Sequence, residues 1–570
     1  MTRYARHVNK RATDQRERAR ADQVENSAGG FVFSLNKWQA LDRWLILGAD
    51  GGTYYASEKK LVKDNAKTIE ACLAEDGPRT VARIVEISDS GRAPKNDPAV
   101  FALAMAAGAD DAATRKAALE ALSKVCRIGT HLFQFVDAVK NFRGWGRGLR
   151  RAVVRWYTDR EADNLAYQVL KYPSRKLDPK DRASVMTHRD VLRLAGGAIG
   201  PRTVETDAVL RYVVGGGLDA LGARVVKREN ATSSYAALDT EKLPAIVHGW
   251  EAMKEANSPV EAAKLVEKYG LTHEMVLNQF KTSPVVWEAL LQKMPATALI
   301  RNLGNMSKCG LLVPFSDAAK LVVAKLGAVE WLRRSRIHPL NVFTAYDTYE
   351  RGKSKRGSGE WTPVPQVVDA LEGCFYTAFQ NVEPTGKNHL LAVDCSGSMW
   401  GNGHYKYGGP GWGFGNIRGM DIPPRVGAAL MAMVTMRSEK ESFIAGFSTG
   451  HRLHPVQVTS RSTISQAVQA FTAVPMGGTD CSLPMRWALH EKLPIDHFVV
   501  YTDNETWAGH IHPFQALKQY RQKTGRNAKL TVVGMTATDF TIADPSDAGM
   551  LDVVGFDTAT PKILADFARN

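Results

Sequence analysis

The chain has 570 residues, 44% of them apolar and 23% charged, with a formal net charge of +15. That length exceeds one ordinary core, so two or more domains are expected, each large enough to bury its own interior. The six cysteines lie far apart and form no C-x-x-C pair, which argues against a disulfide framework or a zinc ribbon and fits a reducing cytoplasm.

Residues 1–28 are polar, charged and poor in apolar side chains, the composition of a flexible basic tail. The tail lacks the apolar stretch of a secretion signal, and no later run approaches a membrane-spanning length, so an unsecreted, cytoplasmic protein without a membrane partner is expected. Residues 29–386 read as helix almost throughout, with apolar residues at i, i+3, i+4 and i+7 and breaks at Gly, Pro or Asp. AVFALAMAAGA (99–109), ATRKAALEALSKVCRI (113–128), SPVVWEALLQKM (283–294) and VPQVVDALEGCFYTAF (364–379) are examples. Many short amphipathic helices in series suggest HEAT-like helical repeats.

This part is also where the charge lies, since residues 1–386 carry +13 of the +15. A basic domain beside a nearly neutral one points to a polyanionic partner for the first. Composition alone does not separate RNA, DNA and anionic lipid. In GWGRGLRRAVVRWY (144–157), Leu149, Val153 and Trp156 form an apolar stripe and Arg147, Arg150, Arg151 and Arg155 fall elsewhere. The stripe is core; the arginines are phosphate contacts or a solvated face, and periodicity does not decide. Further on, KYPSRK (171–176) and MTHRDVLRL (186–194) place Lys171, Arg175, Lys176, His188, Arg189 and Arg193 close together, with Thr187 as a helix cap.

From Lys387 to Asn570 the pattern changes to alternating strand and helix. Strands are expected at 389–394, 441–448, 496–503 and 529–535, with helices between them at 426–439, 463–474, 482–492 and 512–525. Such alternation gives an α/β, doubly wound parallel sheet whose ligands bind beyond the carboxyl ends of the strands. At such an end stands AVDCSGSM, with Asp394, Ser396 and Ser398; Thr479 follows in MGGTDCSLP and Asp503 in VVYTDNET. Carboxylates and hydroxyls are hard donors suited to one divalent ion, Mg²⁺ first and Mn²⁺ or Ca²⁺ as alternatives. A D-x-S-x-S turn also serves as a helix cap. The preceding strand, the Gly-rich loop and the second strand-end Asp, in that order, favour the metal. Asp480 and Glu505 adjoin the ligands, with hydrogen bonding to them or plain solvation as the expected roles. The Gly- and aromatic-rich run 400–421 follows the motif directly and covers the metal, binds a partner or is a plain surface loop.

The segment 387–570 resembles a von Willebrand factor A-type domain with a metal-ion-dependent adhesion site. The chain after the tail resembles the Ro ribonucleoprotein autoantigen family, the TROVE-domain proteins. The matching stretches include GADGGTYYASEKKL (48–61), KVCRIGTHLFQF (124–135), WGRGLRRAVVRWY, THRDVLRL, MPATALIRNLGNM (294–306), RIHPLNVFTA (336–345), VEPTGKNHLLAVDCSGSM, GGTDCSLPM, TDNETWAGHIHP (502–513) and FTIADPSDAGMLDVVGFDT (540–558). The resemblance implies a ring of HEAT-like helices beside the A-type domain. It implies structured small noncoding RNA, such as Y RNA, on the outer surface and single-stranded 3′ ends of misfolded RNA in the hole. It further implies a part in RNA quality control, with an exoribonuclease such as polynucleotide phosphorylase as partner. Lys171, Arg175, His188 and Arg189 match the Y RNA-binding segment and are assigned that role through the resemblance. No enzymatic activity is implied. The competing reading is a protein-interaction adaptor acting through the metal site of the A-type domain.

Overall fold

A computed structural model describes residues 12–48, 66–176, 185–196, 202–218, 240–354, 359–379, 383–400, 422–448, 450, 453–536 and 538–570. The run 401–421, residues 1–11 and most of the stretch 48–61 lie outside the described residues.

The first half is a series of helices. Asp97–Gly108 is apolar on every side and buried from Pro98 to Ala107, as a helix surrounded by others must be. Arg147–Thr158 has two faces: Leu149, Val153 and Trp156 are buried, while Arg147, Arg150, Arg151 and Arg155 are exposed. Consecutive helices pack in pairs, Pro259–Tyr269 on Pro284–Lys293 and Pro339–Glu350 on Pro365–Thr377. The series returns to its start, because Arg336 near its end reaches Asp89 at 2.9 Å. Both ends also touch the second half. Arg92 pairs with Asp557 at 2.6 Å, and the His338 Nε2 lies 2.8 Å from the Phe556 carbonyl oxygen.

The second half is the doubly wound sheet that the alternation predicts. Its strands are β5 (His389–Asp394), β6 (Ser442–Phe447), β7 (His454–Pro455), β8 (His497–Thr502), β9 (Lys529–Gly534) and β11 (Met550–Val554), in the order β11-β9-β8-β5-β6-β7. All neighbours are parallel except β7, which runs antiparallel along β6. Every residue of β5 and β8 is buried, as central strands covered by helices on both faces require. Leu391, Val393 and Tyr501 face one core with Met431 and Val468. Leu390, Phe498 and Val500 face the other with Ala488 and Leu517. The chain leaves β5 toward β6 and later returns to the opposite side at β8. The crevice therefore opens at the carboxyl ends of β5 and β8.

Residues 12–28 differ from the flexible tail expected of them. β1 (Gln23–Glu25) and β2 (Phe31–Ser34) form a hairpin, and β2 pairs with β10 (Phe540–Thr541) of the second half. Arg16 stacks over Trp507, Arg18 over Phe31 and Arg20 over Phe33. Low apolar content signals disorder only when the polar groups stay in water; here they are partners for buried loops.

A deeply buried ion pair also joins the halves. Arg43 on the helix Lys37–Leu47 is 1% exposed and holds both oxygens of Asp552 on β11, at 2.7 and 2.6 Å. Its other terminal nitrogen donates to the carbonyls of Thr538 and Phe540 at 2.9 and 3.0 Å.

Candidate metal centre and nucleic-acid interface

At the crevice the five oxygen-bearing residues singled out from the sequence are all buried: Asp394, Ser396, Ser398, Thr479 and Asp503. β5 ends on Asp394, and the turn beyond it folds back so that the Ser396 N–H donates to the Asp394 Oδ1 at 2.8 Å. The two serine hydroxyls stand 3.1 Å apart. Thr502, the last residue of β8, donates its hydroxyl to the Asp394 Oδ2 at 2.6 Å and so links the two strand ends. Asp503 follows it, with its Oδ1 accepting the Glu505 N–H at 3.0 Å. The glycine-rich loop is tied in by the Gly397 N–H to the Gly477 carbonyl at 3.4 Å, and the Thr479 carbonyl accepts from Trp507 and Ala508 at 3.0 Å each.

The electrostatics of the buried carboxylates favour a cation. Burial pushes Asp394 above the ordinary aspartate range. Burial does the same to Asp503, more strongly, with Asp394 and Glu505 adding repulsion and the Ser398 hydroxyl opposing it. The Asp503 Oδ2 is buried with no hydrogen-bond partner, a costly arrangement unless something positive meets it. Among the described residues no three His, Cys, Asp or Glu side chains gather as a metal-holding group, so a cation here would depend on the hydroxyls. Asp480 is already committed: its carboxylate accepts from the Ser482 hydroxyl at 2.6 Å, Gln15 at 2.9 Å and Arg486 at 2.9 Å.

The basic segment of the helical half is less uniform than its sequence suggests. Thr187 caps the helix His188–Leu194 in a capping box with Asp190, as expected. β3 (Ser174–Lys176) and β4 (Val185–Thr187) pair antiparallel in front of it. His188, however, is 2% exposed. Its ring lies against Phe133, Trp156 and Tyr157, and its Nδ1 is 2.8 Å from the Tyr157 hydroxyl. Burial pushes its pKa down to about 3, so the ring is neutral as well as enclosed. The ring of His188, the residue assigned to RNA through the resemblance, is thus turned inward, and its imidazole fastens the short helix onto the inner face of Arg147–Thr158.

Lys171 is largely covered too, donating to the Tyr167 hydroxyl at 2.8 Å and lying 3.8 Å from Glu274. Tyr167, Lys171, His273, Glu274 and Lys293 line a cavity of about 360 Å³. Arg175 on β3 is partly exposed and reaches the Thr130 carbonyl and Gln134 at 3.3 Å and Asp97 at 3.5 Å. Arg189 is partly exposed, with its Nε buried and unpartnered. The clearest cationic face is the one periodicity left undecided. Arg147, Arg151 and Arg155 recur at i, i+4 and i+8, about 6 Å apart along the helix axis, with Arg150 beside them. All four are exposed, and none forms an ion pair among the described residues.

Among the described residues no helix is long and apolar enough to cross a membrane. The sequence matches the TROVE domain family over residues 24–348 and the Ro60 vWA domain family over residues 388–568. It is 38% identical over 574 residues to a Deinococcus radiodurans protein named RNA-binding protein RO60, covering 100% of this chain and 99% of that one. A Caenorhabditis elegans protein of the same name is 34% identical over 625 residues, covering 98% of this chain and 92% of its relative. The fold is similar to the crystal structure of the Deinococcus radiodurans RO (RSR) protein, with a TM-score of 0.66 at 38% identity over 94% of this chain and 99% of that chain.

Proposed function

Because the chain belongs to the TROVE-domain Ro ribonucleoprotein family, we propose that it binds RNA through its helical half and a divalent cation through its A-type half. The observation that carries the RNA reading is the exposed arginine face of Arg147–Thr158, without ion pairs among the described residues. Guanidinium groups at regular spacing with no carboxylate to neutralise them are suited to successive backbone phosphates.

The RNA is structured small noncoding RNA of the Y type, docked on the outer surface by this face together with Arg175 and Arg189. Shape and phosphate position recognise it rather than base sequence. His188 and Lys171 act from beneath, holding the RNA-facing elements in place. Single-stranded 3′ ends of misfolded RNA occupy a second mode inside the helical series, and the protein serves noncoding-RNA quality control by presenting such ends to an exoribonuclease such as polynucleotide phosphorylase.

In the A-type half, Asp394, Ser396, Ser398, Thr479 and Asp503 hold one Mg²⁺, with Mn²⁺ or Ca²⁺ able to replace it. The unpartnered Asp503 Oδ2 supports this assignment. Five ligands leave the sixth position of an octahedral Mg²⁺ open, a place for an acidic group of a partner to bind.

Sequencing the RNA that co-purifies with the protein tests the reading. Small structured noncoding RNAs and misfolded precursors are expected well above their share of cellular RNA. RNA in proportion to abundance, or none, would contradict it.

A further inference from the structure

The segment 12–30 does more than lie along the A-type half. Gln15 is completely buried, and its amide is fully used. Nε2 donates to the Asp480 Oδ1 at 2.9 Å and to the Ile511 carbonyl at 2.8 Å, while Oε1 accepts from the Thr506 hydroxyl at 2.6 Å and from the Gly509 N–H at 3.1 Å. Asn26 donates to the Thr506 carbonyl at 2.9 Å, and the Ala28 N–H donates to the Glu505 carboxylate at 3.1 Å. Gly30 lies so close to the Thr506 carbonyl that a Cβ there would overlap it. Asp480 follows Thr479, and Glu505 and Thr506 closely follow Asp503. The segment therefore bridges the two loops that carry ligands from outside the D-x-S-x-S turn.

We propose that residues 12–30 are a strap that sets the spacing of the metal-binding loops, with Gln15 as its positioning residue, so that cation binding and docking of the strap are linked. The inference rests on the metal reading of Asp394, Ser396, Ser398, Thr479 and Asp503. The physical case starts from the loops themselves. They are polar, and the buried Asp503 carboxylate is repelled by both Asp394 and Glu505, which are buried as well. Like charges push such loops apart, and a cation draws them together. A single amide that must reach Asp480 on one loop and Thr506 on the other fits only one spacing. Groups that orient metal ligands in this way commonly change metal affinity by about 10–100-fold when removed. Linkage makes the effect reciprocal: a cation that binds better when the strap is docked must itself favour the docked strap.

The test uses the full-length protein. Hydrogen exchange of residues 12–30 is followed by mass spectrometry during a Mg²⁺ titration, beside calorimetric measurement of Mg²⁺ affinity. In the wild type, exchange of the strap slows as Mg²⁺ is added, with the midpoint at the calorimetric Kd. Gln15→Ala weakens Mg²⁺ by about tenfold or more. Gln15→Glu, which keeps an acceptor for Thr506 but loses both donations and faces Asp480, weakens it similarly. Arg18→Ala, whose side chain stacks on Phe31 just beyond the strap, leaves the affinity within about twofold, as expected of a residue that touches neither loop. Binding of Mg²⁺ with strap exchange unchanged and with equal affinity in the Gln15 variants would overturn the strap inference and leave the metal reading standing. A wild type that takes up no divalent ion would overturn the metal reading, and the strap inference with it.

Discussion

The two halves handle charge in opposite ways. In the helical half the cations of Arg147–Thr158 stand in solvent without ion-pair partners among the described residues, and their helix is held from below by aromatic packing around His188. In the A-type half the decisive charges are carboxylates, fully buried at the carboxyl ends of β5 and β8. Exposed cations act over a Debye length, about 8–10 Å at physiological salt, and suit a long flexible polyanion met at many points. Buried oxygens act only at close range and suit a small ion whose hydration shell they replace. Burial therefore means different things in the two places. For His188 it yields a neutral structural anchor, and for Asp503 it leaves an acceptor whose need only a cation or a proton meets.

The first way to break the comparison is to treat the halves as independent bodies. The Arg43–Asp552 pair and its carbonyl hydrogen bonds say they are joined. Replacing Arg43 with Ala leaves a buried carboxylate without its partner and should cost about 3–5 kcal/mol, read by chemical denaturation of the whole chain. Replacing Arg43 and Asp552 together by Met and Leu should cost less, since two buried charges then disappear. A loss below about 1 kcal/mol for Arg43→Ala would mean that the pair does not join the halves.

The second sharpens the contrast between ligands. Asp394→Ala should reduce Mg²⁺ affinity at least about hundredfold, measured by calorimetry, while RNA affinity in metal-free buffer changes by less than about twofold. Parallel losses of metal and RNA would place both ligands on one site.

The third concerns His188 and pH. Burial holds its pKa near 3 in the folded chain, against about 6.5 for an unfolded histidine. Below about pH 6.5 the unfolded chain takes up a proton that the folded chain refuses, so stability falls with acidification until the folded ring also titrates. Between pH 7 and about pH 5 this single ring should cost about 2 kcal/mol. His131 and His338, both pushed down to about 4 by burial, act in the same direction. A His188→Gln variant should show a shallower loss over that range by thermal or urea unfolding, whatever its stability at pH 7. An unchanged slope would mean that the ring is not enclosed.

Much of this was legible from local pattern. The apolar runs 390–393 and 498–501 mark strands buried on both faces, and the aspartates that follow them, Asp394 and Asp503, are where the crevice opens. The stripe of Leu149, Val153 and Trp156 correctly identifies which face of its helix is inside. What escaped the sequence has one cause: the partner is far away in the chain. β11 has Asp552 in the middle of MLDVV, which spoils its apolar signal because the carboxylate meets Arg43 from the other half. Gln15 sits in a polar arm, and only the folded chain brings it to Asp480 and Thr506. His188 is flanked by Arg189 and Arg193 and so reads as part of a basic surface; the aromatic rings that enclose it come from 133, 156 and 157. Periodicity tells which side of an element is inside, and says nothing of which polar group finds a partner there.

The most direct test of the central claim, electrostatic capture of RNA by the helical half, is the salt dependence of affinity for a structured stem-loop RNA. It is compared between the wild type and a variant with Arg147, Arg150, Arg151 and Arg155 all replaced by Gln, in metal-free buffer. The plot of log K against log salt should be steep for the wild type and flatter for the variant by about one unit for each phosphate that an arginine no longer neutralises. Affinity at a fixed low salt should fall by about fivefold for each such phosphate, on the scale of about 1 kcal/mol for a hydrogen bond. Equal slopes and equal affinities for the two proteins would contradict the account.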